Sequence, residues 1–164
     1  VTCCKQADEL TLPMKEKRIV SNDTSLQRIL VSYRNGDLST DDLNTRLKSN
    51  SSIARDNLTR SAYLKLKQNK PLLACKEALP SCGCCENIFS EGEFSTYSDF
   101  ERCDDEIKKH RSLNKIDSIR EPSFASALPE VLGGTAYYKC SVCSAVWQIV
   151  LPERAQRGTW QRVA

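Results

Sequence analysis

The sequence predicts an α+β fold: a mainly helical body, with a C-terminal antiparallel β-hairpin or small sheet pinned to it by four cysteines. Three observations predict it. Apolar residues recur at helical spacing from Leu26 to Leu79. From Tyr137 onward the apolar positions are largely aromatic or β-branched, among them Val146, Trp147, Ile149, Val150, Trp160 and Val163, and such residues suit strands. Two Cys-x-x-Cys pairs are present; Cys82 and Cys85 follow the helical run, and Cys140 and Cys143 lie inside the strand-like tail.

The elements follow in chain order. Residues 1–22 have weak periodicity and are expected to be a weakly structured N-terminal segment. Residues 23–80 read as the helical body, and residues 81–164 as an α+β region that forms one compact unit with it. Thr24 opens Thr-Ser-Leu-Gln, a capping box ahead of Leu26, Ile29, Leu30 and Tyr33, and Gly36 stops that helix. Ser39 opens a second box with Asp42, Leu38 is placed to pack on Leu43, and Leu43 and Leu47 face inward together. Ser51 or Ser52 caps a third helix with Leu58, Ala62 and Leu66 on its buried side. Pro71 suits the first turn of a fourth, which carries Leu72, Leu73, Ala78 and Leu79 and ends at Pro80.

"SCGCCEN", residues 81–87, reads as a tight turn. A fifth helix over 97–111 has Tyr97, Phe100, Cys103 and Ile107 as its apolar stripe, which leaves Glu101, Asp104 and Asp105 largely toward solvent. Residues 112–134 carry Pro122, Pro129 and Gly133-Gly134 and read as irregular. In the tail, Pro152 and Gly158 bracket a connection, so two or three short antiparallel strands are expected, with Val142 among the strand formers.

Bulk properties narrow the class. A chain of 164 residues can bury a core without metal or disulfides. No apolar run approaches a membrane span. Charges at Lys5, Asp8, Glu9, Lys15, Glu16, Lys17 and Arg18 argue against a signal peptide in the first twenty residues, and a cytoplasmic location is expected. Nine cysteines, an odd number at irregular intervals, fit a reducing compartment, where clustered thiols usually bind metal. The net charge of +3 does not by itself imply a polyanion partner. Its distribution is uneven: Arg55 to Lys76 is basic apart from Asp56, and Glu86 to Glu106 is acidic apart from Arg102.

The thiols carry the chemistry. Tyr-Tyr-Lys before Cys140 and Ala-Val-Trp after Cys143 form the arms of a hairpin with both thiols at its tip, which resembles one knuckle of a zinc ribbon or treble clef. Structural zinc takes four protein ligands in a tetrahedron, so a second knuckle is needed, and Cys82 with Cys85 supplies it. Four sulfurs select zinc over harder cations. Cys84 can replace Cys82 or Cys85, and Cys103 and His110 are further substitutes. Cys75 and Cys103 lie on apolar stripes and read as core thiols, Cys3 and Cys4 as surface thiols. A redox Cys-x-x-Cys normally opens a helix, whereas Cys140 sits in strand-like sequence.

Recognition is favoured over catalysis. His110 is the only histidine and reads as a surface or helix-end residue among Lys108, Lys109 and Arg111; a dyad with Cys103 or Cys75 finds no orienting group. A four-thiolate zinc site is closed to substrate. Gly133-Gly134 lacks the residues that make a phosphate loop. Two binding functions remain. An acidic helix with Glu101, Asp104 and Asp105 can steer onto a basic protein. The basic run, with Arg154, Arg157, Arg162 and Trp160 in the tail, gives nucleic acid as the second choice. In size, in its lack of catalytic residues and in the terminal "WQIVLPERAQRGTWQRV", the chain resembles small bacterial immunity proteins. That resemblance implies a cytoplasmic, non-enzymatic inhibitor of a toxin, nuclease toxins included.

Overall fold

The computed structural model describes residues 24–164, with side chains from Leu26 onward. The expected capping box at Thr24, the segment 1–22 and Cys3-Cys4 therefore lie outside the described residues or side chains. The described chain is α+β. The helices are α1 (Thr24–Arg34), α2 (Thr40–Ser49), α3 (Ser51–Asn57), α4 (Arg60–Lys67), α5 (Pro71–Ala78), the single turn α6 (Gly83–Glu86) and α7 (Tyr97–Ser112). The strands β1 (Gly92–Glu93), β2 (Ile116–Ile119), β3 (Thr135–Cys140), β4 (Val146–Val150) and β5 (Thr159–Arg162) form one antiparallel sheet in the order β1-β5-β4-β3-β2.

Helix ends follow local chemistry. Ser39 and Asp42 make the expected capping box of α2, with the Asp42 amide donating to Ser39 Oγ at 3.1 Å. Gly36, at φ 83°, ends α1: its amide donates to the Tyr33 carbonyl at 3.0 Å and the Asp37 amide to the Ser32 carbonyl at 2.9 Å. Asn69 and Asn114 take the same left-handed position after α4 and α7.

The expected third helix is two. Leu58 is extended and Thr59 caps a new start, accepting from the Ala62 amide at 3.1 Å. The Thr59 hydroxyl also donates to Glu77 on α5, so a tertiary contact fixes the break. Residues 112–134 are not wholly irregular; they contain β2 and a 3-10 turn at Ala125–Ala127. The tail supplies three strands of a larger sheet, and Val142 lies in the turn between two of them, exposed. Leu73 is also exposed, since the buried side of α5 carries Leu72, Ala74 and Cys75.

Two cores flank the sheet. One joins Leu26, Leu30, Tyr33, Leu43, Leu72 and Cys75 to Phe124, Val146 and Val163. The other joins Cys103 and Ile107 of α7 to Tyr138, Trp147, Ile149 and Trp160, with Cys85 and Cys140 at its margin. The central strand β4 sends Val146 into the first and Trp147 and Ile149 into the second, so every residue of it is buried. Its buried Gln148 is satisfied: the side chain donates to Tyr137 Oη at 3.0 Å and accepts from Gln161 Nε2 at 2.7 Å. Among the described residues no helix is long and apolar enough to cross a membrane.

Candidate metal centre

Two short turns aim four sulfurs at one point. In the first, Cys82 is the residue before α6, and its carbonyl accepts from the Cys85 and Glu86 amides, each at 3.1 Å. One helical turn brings Cys82 and Cys85 to the same side, so "SCGCCEN" contains a real element rather than only a turn. In the second, the Cys140 amide donates to the Ala145 carbonyl at 2.9 Å and the Ser144 amide to the Cys140 carbonyl at 2.9 Å. Ser144, at φ 60°, bends the chain so that Cys143 points back toward Cys140.

The four sulfur atoms of Cys82, Cys85, Cys140 and Cys143 all lie within 4.8 Å of one another. Cys82 Sγ is 3.7 Å from Cys140 Sγ, and Cys85 Sγ is 3.6 Å from Cys143 Sγ. A disulfide needs ~2.05 Å, and all four cysteines are free. Tetrahedral ligands at ~2.3 Å from one cation stand ~3.8 Å apart. The spacing therefore matches a four-sulfur metal site. Cys84, Cys103 and His110, the alternatives the sequence leaves open, are outside the group.

The thiols titrate as a set. Cys140 is held down to about 4, first by the hydrogen bond it takes from Cys85 and further by the amides of Cys143 and Val142. That same hydrogen bond, and then burial, pushes Cys85 up. Burial is the main cause that raises Cys143, opposed by the Ala145 amide. Backbone N–H groups aimed at sulfur favour thiolates, the form that binds metal. Cys75 and Cys103 are different: burial pushes each up to about 12, as expected of core thiols.

A buried arginine joins the helical body to the site. Arg34, the last residue of α1, donates through Nη2 to the Cys143 carbonyl at 2.5 Å and through Nη1 to the Leu79 carbonyl at 3.3 Å. Nothing in sequence spacing connects Arg34 with Cys143, and sequence reasoning missed it. His110, expected at the surface or at a helix end, lies in the last turn of α7 and is buried there; its Nδ1–H donates to the Glu106 carbonyl at 2.8 Å.

The recognition residues also have definite surroundings. On α7, Lys108 pairs with Asp104 at 2.7 Å and with Asp105 at 3.2 Å, Arg102 with Asp99 at 2.8 Å, and Lys109 with Glu106 at 3.1 Å. Glu101 is exposed and, among the described residues, outside any ion pair. Tyr97, expected inside, is 63% exposed, because Phe94, Phe89 and Phe100 already fill the space under the start of α7. It stands one and two turns before Glu101 and Asp105 on one face. In the basic run, Lys65 pairs with Glu77 at 2.5 Å and Lys76 pairs with Glu91, so those cations are already satisfied. Trp160, a stacking candidate for nucleic acid, is buried and stacked on Trp147.

Comparison of the chain with known protein families, with characterised proteins and with solved structures finds no match.

Proposed function

We propose that the chain is a non-enzymatic protein-binding module whose four cysteines hold one structural zinc ion. The sulfur cluster carries the zinc reading: four soft donors at tetrahedral spacing suit zinc and leave no open coordination position. A closed site holds the fold and polarises no substrate. The binding reading is supported by the line Tyr97, Glu101 and Asp105 on α7. An exposed aromatic ring beside carboxylates is a common anchor in a protein interface. The carboxylates steer a basic partner, with Asp104 beside them shared with Lys108. A basic toxin, a nuclease among them, is the partner that fits the resemblance to immunity proteins.

One observation favours nucleic acid instead. A cleft of about 450 Å³ between α2, α3 and α4 carries Lys48 and Lys67 on an otherwise mixed lining that includes Tyr63. The test is capture from a host extract, with and without nuclease, by the wild type and by Tyr97→Ala/Glu101→Lys/Asp105→Lys. The expected result is one basic protein, retained after nuclease, bound more slowly at high salt and lost by a normally folded variant. Capture of nucleic acid, lost in Lys48→Glu/Lys67→Glu and kept or tightened in the α7 variant, gives the second reading.

A further inference from the structure

We propose that Arg34 and Arg162 are the built-in counter-charges of a four-thiolate metal centre, an inference that rests on the zinc reading above. Arg34 is only 4% exposed, and Arg162 is half-buried on β5. Both guanidinium groups reach the two cysteine turns. Arg34 donates to the Cys143 carbonyl, and Arg162 Nη1 donates to Ser81 Oγ at 2.7 Å, one residue before Cys82. Arg162 Nη2 donates to the Lys76 carbonyl at 2.5 Å.

Neither guanidinium has a carboxylate within ion-pair distance among the described residues. The nearby acids are engaged elsewhere: Glu91 pairs with Lys76 and accepts from the Arg162 amide, and Glu86 accepts from Ser81 Oγ. Both arginine Nε atoms are buried without a hydrogen-bond partner among the described residues. A buried cation is costly unless an opposite charge lies near it. Four thiolates around a divalent cation carry a net charge of −2, and two guanidinium groups match it.

A purely structural reading of the same contacts is available. Both arginines bond to carbonyls at the C-terminal end of α5, where cations are favourable. The two readings separate in an electrostatic measurement. The 164-residue chain is loaded with iron, whose tetrathiolate centre goes from −1 to −2 on reduction. A nearby cation favours the more negative form. Arg34→Met and Arg162→Met should each move the potential to more negative values, and Arg34→Lys should restore it. Zinc affinity of the Met variants should fall about 10- to 100-fold. Arg162→Met, at the more accessible side chain, serves if Arg34→Met does not fold. Unchanged potentials in folded Met variants overturn the counter-charge role and leave the metal site standing. Failure of the wild type to take up zinc or iron at one ion per chain overturns the zinc reading itself.

Discussion

Cys84 lies between Cys82 and Cys85, yet the turn of α6 keeps it out of the sulfur group. Three thiols in a row of four residues cannot be ranked by spacing alone, since Cys82 with Cys85 and Cys82 with Cys84 both recur in metal sites. The short helix decides, because residues three apart share a side and residues two apart do not. Zinc analysis of purified protein should find one ion per chain. Cys82→Ser, Cys85→Ser, Cys140→Ser and Cys143→Ser should each lose most of it, while Cys84→Ser and Cys103→Ser keep it. Full retention in Cys140→Ser would sink the site. The four ligand candidates were legible in the sequence because Cys-x-x-Cys is a local pattern with a chemical reason. Arg34 was not, because it meets Cys143 across 109 residues through a tertiary contact.

At the scale of elements, the cap at Ser39 was legible because its side chain bonds its own backbone, whereas the same capping box at Thr96 with Asp99, which begins α7, was not singled out in the sequence. The split between α3 and α4 was hidden, because the apolar spacing of Leu58, Ala62 and Leu66 continues through it. What fixes the break is Glu77 on α5, which accepts from Thr59 Oγ1 and Ser61 Oγ, each at 3.0 Å, and from Lys65. The hydrogen bond from Lys65 is the main cause that holds the Glu77 carboxyl below its ordinary value. A lowered folded value means that the stabilisation is complete above the ordinary carboxylate range and is lost as pH falls through the folded value. Glu77→Gln should therefore lower the melting temperature at neutral pH. The gap to wild type should close as pH falls through that lowered value, below which the wild-type carboxylate is protonated as well. A gap that persists unchanged at acid pH would point to packing rather than charge.

At the scale of the whole molecule, the α+β class was legible because a helical period gives way to strand-forming residues late in the chain. The extent of the sheet was not, since β1 has two residues and β2 four, too few to set a pattern of their own. The cysteine turns connect these parts, and the consequence can be measured. A cation held by both pairs closes the loop from Cys85 to Cys140, 55 residues on. A cross-link of that span is worth about 4 kcal/mol on the chain-entropy model. For a chain of this size a loss of that order lowers the melting temperature by roughly 10 °C or more. Strong chelation should have that effect, and re-addition of zinc should reverse it. The loosening should also be local. The β4–β5 pair is held without metal: Val146 and Val163 belong to the core of the helical body, and the Val146 amide donates to the Ala164 carbonyl at 2.8 Å. Chelation should therefore speed hydrogen exchange first in residues 82–88 and 140–145, while the amides of α1, α5 and β4 keep their protection. Uniform acceleration through α1 and α5 would mean that the metal carries the whole fold and that the helical body does not stand without it.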